Sequence, residues 1–316
     1  MSVDRRHFLL AGSAVAGSGF ASAAHAATAA GSSRSVTDFG VEPNSKADQT
    51  EALQKAVDEL SRAGQPIVIP SGEYRARKLV LPIWCSVIGI PGMTLLKIDE
   101  VTTAPSDFLG LFDLFGLTFH SKSSGIQLIT GGPLRIANCH FNGGGKTALR
   151  LDASSGIVEA SNFQNYSDEA INAESSDLQI TGCRFSDCRR GIVLSSSRGA
   201  IIAQNHFDRC GSGVVAEGVG IVSGNIVKDA KEFGLKLGRA DGKGRIVAQG
   251  NLLENCGVGI GVTASGDDIF ASLNLIHGAK NGAIRAFDGD KLVGRDLARE
   301  SAEMYLNLTV AGNVAR

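Results

Sequence analysis

The sequence predicts an all-β fold: a single right-handed parallel β-helix with about 22 residues per turn. Two observations carry this reading. Leu117, Cys139, Ser161, Cys183 and Asn205 recur every 22 residues, and Phe119, Phe141, Phe163, Phe185 and Phe207 follow each by two. The beat continues less evenly through Asn225 with Val227, Asn251 with Leu253, Asn274 with Ile276 and Asn313 with Ala315. A fixed period of this size marks a solenoid. Second, each repeat holds three short runs, such as 178–180, 183–185 and 192–194, with apolar or small residues at alternate positions. No crossover helix fits within such a repeat, so three strands per turn must coil, and crossover handedness favours a right-handed coil. The 40 glycines and 14 phenylalanines, beside one Trp and three Tyr, suit this architecture.

The chain opens on a targeting segment. Asp4-Arg5-Arg6-His7-Phe8-Leu9-Leu10 resembles the twin-arginine export motif, a Gly/Ala-rich stretch follows, and Ala24-His25-Ala26 offers a small-x-small cleavage site. Residues 1–26 read as a twin-arginine signal peptide. The mature chain then starts near Ala27 and is delivered to the periplasm or secreted. The stretch is too short and Gly-rich for a membrane span, so no span is expected after signal removal.

Residues 27–66 form an N-terminal segment with one helix, expected over 48–62. Asp48 to Glu51 reads as a capping box. Leu53, Ala56, Val57 and Leu60 form an apolar stripe at helical spacing, and Gly64 suits the stop. Such a helix covers the open end of a coil, which otherwise exposes strand edges and core. Strands begin at 67–69, 74–80 and 86–90, and the coil is expected over 67–316.

The order Asp38-Phe39-Gly40, helix, Ile67-Val68-Ile69-Pro70-Ser71-Gly72-Glu73-Tyr74, then Val87-Ile88-Gly89 resembles the N-terminus of the pectate-lyase-like superfamily. With the export signal and the Asn-x-Phe repeats, nearly the whole chain is similar to a family of twin-arginine-translocated repeat proteins without an established activity. The resemblance implies fold and compartment and leaves function open.

Stacked turns lie roughly 4.8 Å apart, so equivalent residues form columns. The Phe column should be an internal aromatic stack and the Asn column an internal hydrogen-bonded ladder. Gly125, Gly191, Gly213, Gly234 and Gly259 form a further column, read as a sharp bend where φ is positive. Near the C-terminus the beat breaks. A loop inserted near 288–307, holding the charged run 295–300, is expected to contain one helical turn. Either that loop folds back as a cap or a partner covers the C-terminal end.

Residues 27–316 carry 29 Lys plus Arg and 31 Asp plus Glu, a net charge of −2 with His neutral. This argues against a nucleic-acid partner, which calls for a basic balance or stripe. Of the six cysteines, Cys139 and Cys183 fall on the ladder column, and Cys188, Cys210 and Cys256 share a column three residues after the Phe position. Free buried thiols serving as small apolar residues are the first reading. A Cys188–Cys210 disulfide is the alternative, disfavoured by folding before export. No Cys-x-x-Cys pair, zinc spacing, phosphate loop or EF-hand loop occurs. No cofactor is expected, and metal dependence stays open.

The outward positions of the last strand of each turn form two columns. Arg150, Asn172 and Lys236 lie in one, and Asp152, Glu174 and Glu217 in the other, with Asp168 and Arg189 in the turns just before. Asp152, Glu174 and Glu217 are the candidate catalytic carboxylates. Asp152 and Glu174 fall on neighbouring turns, where repulsion should raise one pKa and so supply an acid beside a base. Glu174 and Glu217 fall two turns apart, near the span of inverting glycosidases. Arg150, Asn172 and Lys236 are the candidate substrate contacts, the cations suiting a uronate carboxylate. The plainer reading is an exposed strand surface of mixed charge.

Ser265-Gly266-Asp267-Asp268 resembles the Gly-Asp-Asp of polygalacturonase-type hydrolases. Their companion motifs are missing apart from His277-Gly278, so it reads as a turn. His120, His140, His206 and His277 read as surface residues. Two functions remain open on these residues: an exported lyase or glycoside hydrolase acting on an acidic polysaccharide, or a non-catalytic glycan-binding or cell-envelope structural protein using the same face. In both, the partner is a glycan.

Overall fold

The computed structural model describes residues 34–316 apart from 83, 104–110, 122–124, 130–132, 290, 301 and 303. The export segment 1–26 lies outside the described residues. Arg34–Arg316 is one compact unit, a coil in which strands pair in parallel with their counterparts one turn away. The antiparallel hairpin of Ile284–Asp288 with Lys291–Val293 is the exception among the described strands. Three stacks run along the coil. The first holds Asp177–Thr181, the second Arg184–Ser186 and the third Glu169–Glu174, each with its equivalents. In Arg190–Ala203 and Ser212–Ser223 the third stack runs on into the first without a break.

The second stack carries the aromatic column. Phe119, Phe141, Phe163, Phe185 and Phe207 are buried, with consecutive centroids 5.2, 4.7, 4.9 and 4.7 Å apart and nearly parallel planes. Such pairs add about 0.5–1.5 kcal/mol each beyond burial. Tyr74 and Leu96 extend the column towards the N-terminus, and Val227, Leu253 and Ile276 towards the C-terminus.

The asparagine ladder lies at the bend before this stack. Asn225 Oδ1 accepts from Asn205 N and Nδ2, at 3.0 and 3.1 Å. The pattern repeats through Asn251, Asn274 and Asn313. Each second amide hydrogen goes to a first-stack carbonyl, as from Asn225 to Ile202 at 2.9 Å. Earlier turns use Ser161 and two thiols in the same place: Cys139 N donates to Ser161 Oγ and Cys183 N to Asn205 Oδ1.

The bends correct one expectation. Of the glycine column, Gly125 alone has positive φ; Gly191, Gly213, Gly234 and Gly259 do not. A Cβ at any of these four would meet a carbonyl oxygen of the next turn at 2.6 Å, so they are there for close approach. Left-handed residues instead form columns at the bends: one is the residue before the ladder, where Asn138, Ala160, Gln204 and Leu273 have φ of 47–58°, and another runs through Asn165, Asp187, Arg209, Asp229 and Asn255. In Asn138, Ala160, Gln204 and Leu273 the N–H donates to a carbonyl of the next turn, which offsets a conformational cost of about 1–2 kcal/mol per residue.

Helix α1, Thr50–Arg62, buries Leu53, Ala56, Val57 and Leu60 and closes the N-terminal end. It also occupies the edge of the first long strand, Gly72–Leu81. Gln54 donates to Val80 O and accepts from Val80 N, both at 2.9 Å, and Thr50 Oγ1 accepts from Arg77 N at 2.8 Å. The expected capping box does not form as drawn. Gln49 is the N-cap residue, and Asp48 instead accepts from Thr50 N at 3.0 Å. The 288–307 loop leaves through the antiparallel hairpin and folds back. Leu297 is buried, its N–H donates to Ile284 O, and Asp296 takes the N–H groups of Ala283 and Ile284. One uncontinued helical turn forms within it, where Asp296 O accepts from Arg299 N at 3.0 Å and from Glu300 N at 3.1 Å.

All six cysteines are free and buried. Burial pushes the thiols of Cys85, Cys139 and Cys183 up to about 12 and that of Cys256 to about 11. A hydrogen bond with Cys210, together with burial, holds Cys188 up as well.

Replacing Asn225 by Leu strands Asn205 N and Ile202 O inside the coil. At about 1–3 kcal/mol per unsatisfied buried group, the loss of stability should be about 3 kcal/mol, read as a lower urea midpoint. A loss below about 1 kcal/mol would show the ladder to be dispensable.

Candidate functional site

The third stack presents its outward residues as a strip. Arg150 pairs in register with Asn172, Asn172 with Val193, Val193 with Val215 and Val215 with Lys236; Asp152 pairs with Glu174 and Glu174 with Ser195. All six candidate residues therefore lie on one face. They do not form one cluster. Glu217 lies two turns from Glu174, about 10 Å at strand spacing, and three from Asp152.

At the N-terminal part of the strip, Arg150 Nε donates to Asp152 Oδ2 at 3.1 Å. Asp152 Oδ1 is buried without a hydrogen-bond partner, and Glu174 is exposed. Asp168 belongs to a structural ion cluster, bound by Arg190 at 2.7 Å and Arg189 at 3.4 Å, with Glu169 also on Arg190. Partial burial works against its charge, but Arg190 holds the Asp168 carboxyl below the usual range.

Four turns along the strip from Arg150, the structure forms a cavity of about 390 Å³ lined by Glu217, Lys236, Arg239, Asp241, Thr263 and Phe287, among others. Burial is the main cause that raises the Glu217 carboxyl above its ordinary value, and the charges of Asp267 and Asp241 add to it. Arg239 and Lys236 pull the other way without cancelling it. Arg239 Nε holds Asp241 Oδ1 at 2.8 Å. Lys236 Nζ sits over the Phe233 ring, 5.6 Å from its centroid.

The wall carrying Arg239 and Asp241 rests on Asp267. This carboxylate is buried and accepts from Gly218 N (3.2 Å), Arg239 N (3.0 Å) and Gly244 N (2.7 Å). A Cβ on Gly242 would fall 1.9 Å from Asp267 Oδ1. The Gly-Asp-Asp turn is thus the internal anchor of the cavity wall, while Asp268 faces out towards Arg245.

Sequence reasoning reached Glu217 and Lys236 and missed Arg239, Asp241 and the role of Asp267. One signal was available. Asn225 and Asn251 are 26 residues apart, against 20 for Asn205 and Asn225, and the longer turn holds 238–244. Among the described residues, no group of three or more His, Cys, Asp or Glu side chains is arranged to hold a metal ion.

The sequence model described as "Right handed beta helix region" matches residues 124–287, and that described as "Rhamnogalacturonase A/epimerase, pectate lyase-like" matches 33–99. Among solved structures, DFA-IIIase from Arthrobacter chlorophenolicus A6 in complex with GF2 superposes with a TM-score of 0.68 at 14% identity, over 89% of this chain and 87% of that one. The Agl-KA catalytic domain superposes with a TM-score of 0.50 at 12% identity, over 90% and 69%. The putative phage-related protein YobO of Bacillus subtilis is 36% identical over 70 residues, which are 22% of this chain and 8% of that protein. The chain thus spans a small part of that relative's length.

The raised Glu217 carboxyl has a consequence for stability. Unfolded, it titrates near 4.5; folded, it titrates higher. Between these two values the folded state binds more protons, so its contribution to stability falls as pH rises through that window. Glu217→Gln should therefore raise the urea midpoint at neutral pH relative to wild type and leave it unchanged below the window. The same shift at both pH values would refute this.

Proposed function

This chain belongs to the right-handed β-helix family, and from that premise we propose that it is an exported enzyme acting on an acidic polysaccharide, with Glu217 as its general acid. The observation that carries the reading is the Glu217 cavity. A half-buried carboxyl whose proton is retained to higher pH faces two cations, Lys236 and Arg239, on an outward strip. A retained proton suits protonation of a glycosidic oxygen. Lys236 and Arg239 suit the carboxylate of a uronate. Glu174, two turns back, is the proposed base, at a separation that leaves room for a water as in inverting glycosidases. Asp152, Arg150 and Asn172 continue the strip as contacts for further sugars. Support also comes from fold likeness to DFA-IIIase and from the rhamnogalacturonase-type match at the N-terminus, though a fold hosts many functions.

One observation favours the non-catalytic glycan-binding reading. The chain's single tryptophan, Trp84, is 60% exposed and lies with Arg62 and Val80 beside α1, far from the cavity, so it offers no stacking platform there.

Reducing-end and unsaturated-product assays on uronate and neutral polymers test the proposal. Hydrolysis of a uronate polymer is expected, and Glu217→Gln should lower it by about 10²–10⁴-fold, with a comparable loss in Glu174→Gln. Full activity in both variants would move the chemistry elsewhere. Unsaturated product would make the enzyme a lyase, and glycan binding without turnover would favour the non-catalytic reading.

Export is the second part of the proposal and rests on Arg5, Arg6 and the stretch ending at Ala26. Replacing both arginines by Lys should leave precursor in the cytoplasm. Unchanged delivery of that variant would refute the twin-arginine reading.

A further inference from the structure

A second and larger cavity, of about 640 Å³, opens at the N-terminal end of the coil, outside the strip. One wall belongs to the second stack. Arg75, Lys97 and His120 take the same register position on three successive turns, each next to an inward-facing member of the aromatic column: Tyr74, Leu96 and Phe119. They are therefore spaced by about 4.8 Å and point outward. Arg77, two residues along from Arg75 on the same strand, continues this wall, and the loop before α1 adds Lys46 and Asp48, which closes on Arg77 at 2.6 Å.

The cations are positioned before any ligand arrives. Glu73 accepts from Arg75 Nε and Nη2 at 2.9 and 2.7 Å and pairs with Lys97 at 2.8 Å. It fixes both side chains while leaving further donors on each. Asp48 fixes Arg77 in the same way. Lys46, from the loop entering α1, makes no ion pair among the described residues. The loop, the helix entry and three turns of the coil thus converge on one space.

We propose that this cavity binds a uronic-acid sugar, at a site separate from the Glu217 cavity. The charge balance narrows the ligand. Lys46, Arg75, Arg77 and Lys97 line the cavity with Asp48 and Asp99, and Glu73, outside the lining, pairs with Arg75 and Lys97. These seven groups together leave an excess of one positive charge, which suits ligand units of one negative charge each. A compact dianion such as phosphate would meet the carboxylates of Asp48 and Asp99 along with the cations. A sugar acid turns them to use: its carboxylate takes the lysine and arginine donors, and its hydroxyls donate to the carboxylates. The two cavities are six turns apart, about 29 Å at strand spacing, too far for one sugar unit to bridge. This inference shares the acidic-glycan class of the proposed function but not its site or its chemistry.

Titration calorimetry of the full chain in the Glu217→Gln/Lys236→Met background silences the strip and isolates this cavity. The probes are trimers of galacturonate, glucuronate, mannuronate and guluronate, a neutral galactose trimer, and inorganic phosphate. Saturable binding of at least one uronate trimer is expected, weakened by added salt, with at least tenfold weaker binding of the galactose trimer and of phosphate. Lys46→Ala/Lys97→Met should weaken uronate binding at least tenfold, and Lys46→Ala with Lys97→Arg should recover part of that loss. Urea midpoints check that all variants fold. No binding of any uronate, equal binding of the neutral trimer, tighter binding of phosphate, or unchanged affinity in Lys46→Ala/Lys97→Met would each overturn the proposal. Turnover on the strip bears on the other reading alone, so the two fail separately.

Discussion

The rest of the structure depends on a column of buried amides. A coil must bend between its strands, and each bend breaks the strand ladder inside the core. Asn205, Asn225, Asn251, Asn274 and Asn313 resolve this by donating to the preceding turn and accepting from it. A buried amide left unpaired there would cost a few kcal/mol. Turns can therefore stack only in the register that pairs every amide. In the earlier turns, where the Phe rings stack, Ser161 and Asn205 take the N–H groups of Cys139 and Cys183 at the same bend, and along the coil four glycines lie against the carbonyls of the next turn.

A register this strict yields a regular surface, and a regular surface is shallow. Along the strip, Arg150, Asp152 and Glu174 stand on regularly paired strand. Depth appears where the repeat is interrupted. The longer turn between Asn225 and Asn251 lifts 238–244 over Glu217, and Asp267 anchors it by three backbone N–H groups. The N-terminal cavity has the same origin, since the loop before α1 adds Lys46 and Asp48 to a wall of repeating strand. In both cases the solenoid supplies evenly spaced side chains and an irregular segment supplies enclosure.

Much of the fold was legible because period and burial coincide. The 22-residue Phe beat and the looser Asn beat both map onto internal columns, since a strand has one inward face and every turn repeats it. The helix stripe at Leu53, Ala56, Val57 and Leu60 was readable for the same reason. The glycine column was located correctly, and its expected positive φ holds at Gly125 but not at Gly191, Gly213, Gly234 and Gly259. Composition cannot separate a glycine needed for positive φ from one needed for close approach, and Gly213 is of the second kind. The left-handed residues were hidden at Ala160, Gln204 and Leu273, types with no preference for that conformation.

The sequence by itself determined a parallel coil, its register, its internal columns and the face on which Arg150, Asp152, Asn172, Glu174, Glu217 and Lys236 stand. These follow from short-range alternation and a constant repeat, which are properties of the chain read along its length. Tertiary structure alone decided which of those six residues share a cavity. Glu217 and Lys236 meet Arg239 and Asp241 only because Asp267, 50 residues from Glu217 in sequence, is buried beneath the loop and must satisfy its charge with three backbone donors. That demand arises from burial across several turns, and nothing local to Asp267 in the sequence distinguishes it from an ordinary turn.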